Sequence, residues 1–384
     1  MQFEFATATR IVFGPGTARQ APRLAASMGR GVLLVTRGDL AETNPLRCDL
    51  TAAGLRVAVL AVDEEPTTAL VAHGVELARR EHCDVVVGFG GGSVIDTGKA
   101  VAALLTNGGD PLDYLEVIGL GKRLALPSAP LLAIPTTAGT GAEVTCNAVL
   151  GSPEHGVKVS LRSPLMFARA AIVDPELTYS SPPTVTASTG LDAFTQLVEP
   201  FVSVGANPVT DALCRDGMRR VARSLRRAWE DGTDTAAREE MALASLFGGL
   251  ALANAKLGAV HGIAGPLGGM YPAPHGAACA ALLPHVMAVN VRAVALRQPD
   301  SPTLQRYHEV ARIVTGDAAA SAADGIAWIE DLCRHLAVRP LREYGLAETD
   351  FESLIDSARR ASSMKGNPVE LSRDELAEIL RRAL

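Results

Sequence analysis

The chain has 384 residues, 48% of them hydrophobic and 20% charged, and a net charge of −6. That length exceeds one ordinary core and predicts two domains, while the composition excludes a disordered chain. The acidic balance, with no long basic run, excludes nucleic acid as a partner.

The opening Met1-Gln2-Phe3-Glu4-Phe5 carries an acid and lacks the basic-then-apolar order of a signal peptide. Six cysteines (Cys48, Cys83, Cys146, Cys214, Cys279 and Cys333) are spread widely, with no CxxC pair. That usage fits a reducing compartment, and a cytoplasmic location is expected. Residues 31–36, 55–60, 84–90 and 131–135 read as buried strands, and 67–82 as a helix. Continuous apolar strands separated by helices predict a parallel sheet covered on both faces. After Ala171-Ile172-Val173-Asp174-Pro175 the pattern changes, and Ser180-Ser181-Pro182-Pro183 forms a rigid connector. Helical stretches follow at 184–202, 207–229, 235–257, 283–294, 303–314, 321–336 and 346–363, with a last one from about 372. The expected organisation is therefore an α/β domain over 1–183 and an all-α domain over 184–384. The most apolar region, 246–287, is broken by Asn254, Lys256, two histidines and several Gly and Pro, and reads as buried protein, not a membrane span.

Two loops carry chemistry in the first half. Gly88-Phe89-Gly90-Gly91-Gly92-Ser93-Val94-Ile95-Asp96-Thr97-Gly98-Lys99 joins a strand to a helix. Its glycines let the backbone approach a pyrophosphate, whose charge meets amides at the helix N-terminus. Ser93 is expected to cap that helix, with Asp96 in its first turn; a tight structural turn is the alternative. The second loop, Pro135-Thr136-Thr137-Ala138-Gly139-Thr140-Gly141-Ala142-Glu143, also follows a strand. Thr136, Thr137 and Thr140 suit phosphate oxygens or ribose, or else form a helix cap with Glu143 three residues after Thr140. Two such loops at strand ends of one sheet favour a nucleotide.

The second half scatters a metal-ligand set. Asp192 and Gln196 lie one turn apart on a predicted helix, and His261 and His275 come from a small-residue-rich segment. One carboxylate and two imidazoles suit Zn(II) or Fe(II). Taken singly, Asp192 also reads as a helix-start residue and each His as a satisfied or exposed one.

Together these motifs resemble the iron-containing (group III) alcohol dehydrogenase family, related to glycerol dehydrogenase, dehydroquinate synthase and maleylacetate reductase. The resemblance runs from Thr9-Arg10-Ile11-Val12-Phe13-Gly14-Pro15-Gly16 through Gly90-Gly91-Gly92-Ser93 with Asp96 and Lys99, and Pro135-Thr136-Thr137-Ala138-Gly139-Thr140-Gly141. It continues in Asp174-Pro175, Gly190-Leu191-Asp192-Ala193, His261 and Pro274-His275-Gly276. It implies a dehydroquinate synthase-like architecture, a dinucleotide-binding α/β domain followed by a helical one, with the active site in the cleft between them. It also implies NAD or NADP on the glycine and Thr-Thr loops, Lys158 near the cofactor ribose, and a divalent metal on Asp192, His261 and His275. The implied reaction is hydride transfer between the nicotinamide and a small alcohol, aldehyde or ketone, with the metal as Lewis acid. A homodimer is the implied assembly.

Two positions depart from the family pattern. Gln196 stands where the family usually has a ligand histidine, offering only a neutral carbonyl oxygen, and Gly265 stands where it often has a proton-relay histidine. Both changes enlarge and neutralise the pocket, which points to a bulkier or differently polar substrate than a short primary alcohol. In the turn Thr36-Arg37-Gly38-Asp39, Arg37 suits the 2′-phosphate of NADP, whereas Asp39 suits the 2′-hydroxyl of NAD. Alternatives to a metal-assisted dehydrogenase are a metal-independent maleylacetate-reductase-like enzyme, a dehydroquinate-synthase-like lyase, and a nucleotide-binding protein that has lost turnover.

Overall fold

Segments such as Val32-Leu33-Leu34-Val35 and Val85-Val86-Val87 have no polar side to offer water, and they form the middle of a parallel sheet. The computed structural model describes residues 2–384 apart from 41–43, 64, 117 and 156. These residues form two units.

The α/β unit takes in Ala6–Thr137 and Gly141–Thr178. Its elements run β1 (Ile11–Phe13), α1 (Ala21–Ala26), β2 (Gly31–Arg37), α2 (Pro45–Ala52), β3 (Arg56–Val62) and α3 (Thr68–Arg80). They continue with β4 (Val85–Gly90), α4 (Gly92–Asn107), β5 (Leu131–Pro135), β6 (Asn147–Ser152), β7 (Val157–Arg162) and β8 (Ala170–Val173). Six strands form a parallel sheet in the order β1-β8-β5-β4-β2-β3. The chain leaves β2 toward one edge and leaves β4 toward the other. The carboxyl ends of these adjacent strands therefore flank the point where strand order reverses, the usual ligand crevice of such sheets.

The four predicted strands and the first helix form within one or two residues of their expected ends. The antiparallel pair β6–β7 was not anticipated. β6 alternates buried with half-buried residues and contains Gly151, β7 is half-buried over most of its length, and a Pro-containing turn joins them, so the apolar signal is weak. Asp96 fixes this hairpin to the sheet unit: its Oδ2 accepts from Val149 N at 2.9 Å and its Oδ1 lies 2.8 Å from the buried Lys99 Nζ. Lys99 in turn donates to Thr145 Oγ1 at 2.9 Å and to the Asn147 carbonyl.

The helical unit takes in Tyr179–Leu384, Ala138–Thr140 and the N-terminal residues through Phe5. The chain thus divides after Thr178, a few residues before the polar connector. Ala138–Thr140 joins the helices because Gly139 lies so close to α5 that a methyl there would sit 2.7 Å from Thr189 Cβ. The helices are α5 (Pro183–Val202), α6 (Pro208–Glu230), α7 (Thr235–Asn254), α8 (Ala259–Met270), α9 (His275–Arg297), α10 (Pro302–Thr315), α11 (Ala322–His335), α12 (Phe351–Arg360) and α13 (Arg373–Ala383).

Helix starts are chemically marked. The Asn207 side chain accepts from the Val209 and Thr210 amides at 3.2 and 3.1 Å, and Pro208 occupies the first helical position. α5 is buried along most of its length and packs against α6, α7 and α9. Leu191, Phe194, Leu197 and Phe201 are fully buried there, each contributing about 1.5–3 kcal/mol of hydrophobic free energy. Against that apolar background the same helix buries Asp192, Gln196 and Glu199. α9 starts eight residues before the predicted 283, because after His275 its first two turns are Gly, Ala and Cys with no amphipathic pattern. It is the one helix among the described residues that is long and apolar enough to cross a membrane by itself, and 67% of that stretch is buried inside the protein.

Candidate active site

Three helices bring a polar cluster together inside the helical unit. α5 supplies Asp192, α8 supplies His261, and the first turn of α9 supplies His275 with Cys279 one turn further on. One ligand atom from each of these four lies within 4.8 Å of all the others. His261 Nε2 is 3.4 Å and His275 Nε2 3.8 Å from Asp192 Oδ1, and Cys279 Sγ is 3.7 Å from His275 Nε2. Gly276 permits the approach of α9 to α5, since a methyl group there would press into the Ser188 carbonyl oxygen.

The orientation of His261 is fixed from behind. Glu199, two turns after Asp192 on α5, accepts from the Val260 amide through Oε1 and holds His261 Nδ1 through Oε2, both at 2.7 Å. That contact turns Nε2 toward Asp192, as a carboxylate behind a ligating histidine does. Asp192 Oδ1, His261 Nε2 and Gln196 Oε1 are buried without a hydrogen-bond partner. Buried polar atoms left bare are rare and costly, and the two on Asp192 and His261, 3.4 Å apart within the carboxylate–imidazole cluster, fit a divalent cation, whereas Gln196 Oε1 lies toward Gly248.

The groups of the cluster also set one another's ionisation. Burial opposes ionisation of Asp192, but the charge of His275 and the nearby imidazole of His261 hold its carboxyl below the usual range. Burial likewise opposes the Cys279 thiolate, yet His275 and His261 outweigh it and hold the thiol below its ordinary value. His275 is raised, first by Cys279 against the opposing effect of burial, then by Asp192.

Sequence reading brought out Asp192, Gln196, His261 and His275, which the fold gathers around α5. It missed Glu199 and Cys279. Glu199 follows Asp192 by seven residues and Cys279 follows His275 by four, spacings that share a helix face and were open to inspection. Gly265 leaves open space: a methyl placed there would touch nothing within 4 Å.

The other predicted residues lie mostly in the α/β unit. Gly90, Gly91, Gly92 and Ser93 join β4 to α4, and the Thr136 amide donates to the Gly90 carbonyl at 3.0 Å, so Thr136 and Thr137 stand beside the glycine loop. Thr137 Oγ1 would be 3.5 Å from a methyl at Gly91. Two expectations are corrected here. Ser93 is not the cap of α4: Gly91 occupies that position, no side chain caps the helix, and the Ser93 hydroxyl points to Glu65 Oε2 at 3.5 Å. Asp96 therefore lies beyond the first turn, where it serves the hairpin. The Thr140–Glu143 capping box is also absent, because Gly141 in the left-handed region (φ 58°) caps only a short 3-10 turn at Ala142–Val144. An uncapped helix behind a glycine loop leaves its first amides to an anion. Lys158 on β7 lies 2.9 Å from Glu65 Oε2, the carboxylate that Ser93 also meets. Arg37 ends β2 and is paired with Asp39 at 2.9 Å, both exposed. Thr140 belongs with the helical unit.

Comparison with known proteins matches this arrangement along nearly the whole chain. The family profile described as "Iron-containing alcohol dehydrogenase" matches residues 8–175, and "Fe-containing alcohol dehydrogenase family, C-terminal" matches 186–384. The 1,3-propanediol dehydrogenase of Klebsiella pneumoniae is 38% identical over 362 residues, 92% of each chain. A crystal structure of 1,3-propanediol oxidoreductase superposes with a TM-score of 0.92 at 35% identity, covering all of both chains. The sulfoacetaldehyde reductase from Bifidobacterium kashiwanohense, solved in complex with NAD+, superposes with a TM-score of 0.87 at 32% identity, covering 99% of this chain and 98% of that one.

Proposed function

Because this chain belongs to the iron-containing alcohol dehydrogenase family, we propose that it interconverts a small alcohol and its aldehyde or ketone, using NAD and a divalent metal held by Asp192, His261 and His275. The observation that carries the reading is the convergence of these three side chains, with bare buried atoms on Asp192, His261 and the neighbouring Gln196. When bound, the metal supplies a Lewis acid for the substrate oxygen and the nicotinamide accepts or donates the hydride.

The chain's own residues do the rest. Glu199 keeps His261 in the tautomer whose Nε2 faces Asp192. His275, with 30% of its side chain exposed, is the member of the set that solvent and substrate can reach, whereas Asp192 is sealed at 2%. Gly90, Gly91 and Gly92 with Ser93 receive the pyrophosphate against the uncapped start of α4. Thr136, Thr137 and Thr140 serve the nucleotide from the second loop, and Lys158 its ribose.

NAD is favoured over NADP by the turn after β2. Arg37, the cation there, is already paired with Asp39, and Asp63 stands against Gly38 in the same turn. A 2′-phosphate would meet two carboxylates, while a ribose hydroxyl would find an acceptor. The open space at Gly265 supports a substrate larger than the shortest primary alcohols. Six free thiols support a reducing, cytoplasmic setting, and a homodimer is the assembly we infer with it.

The test is metal analysis of the purified protein together with turnover of NAD(H) and NADP(H) on a panel of alcohols and aldehydes, with and without chelator. Stoichiometric metal, chelator-sensitive NAD turnover, and loss of both in Asp192→Ala are expected. An Asp192→Ala protein that keeps its metal and its full rate would overturn the assignment.

A further inference from the structure

Resting on the metal reading above, we propose that Cys279 is the fourth protein ligand of this centre, its thiolate replacing the donor that Gln196 takes away. The family pattern supplies one carboxylate and three imidazoles. This chain lacks the third imidazole at 196, yet the cluster still presents four donors, because Cys279 enters from another helix. Residue 279 lies one turn after His275, so the pair projects from the same face of α9, as two ligands on one helix must.

Position and chemistry both support the assignment. Cys279 is fully buried, and its sulfur is within 4.8 Å of Asp192, His261 and His275 ligand atoms and 3.7 Å from His275 Nε2. Bonds of 2.0–2.3 Å to one ion place neighbouring donor atoms about 3.3–3.8 Å apart at tetrahedral angles, and the substrate oxygen would enter as a fifth donor. The three separations available, 3.4 and 3.8 Å from Asp192 to the two imidazoles and 3.7 Å from His275 to sulfur, lie at that spacing. The bare atoms on Asp192 and His261 are the independent sign that the centre of this group belongs to a cation. Among the described residues no other buried cysteine joins such a ligand group, and burial pushes the thiols of Cys83, Cys214 and Cys333 up.

Two consequences separate this centre from a three-histidine one. Asp192 and Cys279 together neutralise a divalent ion, with the thiol proton released on binding. Thiolate donation also favours zinc or cobalt over the harder, more oxygen-loving ions. Gln196 then stands beside the metal site, one turn from Asp192 on the same face of α5.

Cobalt(II) substitution tests the inference without relying on turnover. The wild-type protein loaded with cobalt should show the visible ligand-field bands of a bound ion and a near-ultraviolet thiolate-to-cobalt charge-transfer band. Cys279→Ser should keep the visible bands, lose the sulfur band, and bind zinc at least about tenfold more weakly, since even residues behind the ligands are worth ten- to a hundredfold. Should the serine variant fold poorly, Cys279→Ala is read in the same way, and the wild-type spectrum stands alone in any case. Visible bands without a sulfur band in the wild type, or a sulfur band that survives in Cys279→Ser, would overturn ligation by Cys279 and leave the Asp192–His261–His275 centre intact. Cobalt uptake that is absent, or indifferent to Asp192→Ala, would overturn the centre itself.

Discussion

Glu143, 3% exposed at the end of the second loop, is a carboxyl whose ionisation the α/β unit resists. Burial pushes it from 4.5 up to about 7, only partly offset by its hydrogen bond to backbone and by Lys99. A raised folded value means the native state holds the proton more firmly. The associated stability is therefore complete below the unfolded value near 4.5 and is lost as pH rises through about 7. The whole effect is about 3 kcal/mol, at roughly 1.4 kcal/mol per pH unit. Glu143→Gln keeps the acceptor and removes the charge, so its melting temperature should exceed that of the wild type increasingly between about pH 5 and pH 8. Parallel melting curves across that range would refute the reading. Such residues mark what a sequence conceals. Asp192 and His261 stood out because charge and imidazole are conspicuous in an apolar stretch, whereas Cys279 counts as one more small hydrophobe until α9 sets it beside His275.

At the scale of elements, the site depends on how closely α9 can lie on α5. A methyl at Gly276 would collide with the Ser188 carbonyl, and Asp192 Cβ is the next neighbour at 3.4 Å. Gly276→Ala should therefore displace the first turn of α9, lower stability by about 1–3 kcal/mol as overpacking does, and carry His275 away from Asp192. Zinc titration should then show affinity reduced by about tenfold or more, a loss of the size seen when support for a ligand is disturbed. Gly265→Ala, where a methyl meets nothing within 4 Å, is the control and should leave metal affinity alone. Equal affinity in the Gly276 variant and the wild type would mean that the approach at this point does not position His275. The start of α9 was illegible for the same reason that it works. Residues 276–281 are all Gly, Ala or Cys, so they carry no period-3.6 stripe, and a pattern search begins the helix only at 283. The strands were easier to read because burial on both faces writes an unbroken apolar run.

For the whole molecule, the division into an α/β half and a helical half was readable from the disappearance of strand signals, while the placement of Ala138–Thr140 with the helices was not. That segment is assigned by its fit to Thr189, a contact with no local signature. The division also predicts where ligands should be felt. Asp192, His261, His275 and Cys279 all belong to the helical unit, whereas the glycine loop belongs to the α/β unit. Zinc at a hundred times its dissociation constant stabilises the binding state by about 2.7 kcal/mol. For a unit of this size that is a rise of about 5–11 °C in melting temperature. Hydrogen exchange should locate that gain in α5, α8 and α9, with the amides of β2 and β4 unchanged. Adding NAD instead should protect the amides at the start of α4. Chelator should reverse the zinc effect, and Asp192→Ala should abolish it while leaving the NAD response in place. Protection that spread evenly over both units, or a zinc shift retained in Asp192→Ala, would show that the ion is held elsewhere and that the cluster on α5, α8 and α9 is a buried polar network satisfied by other means.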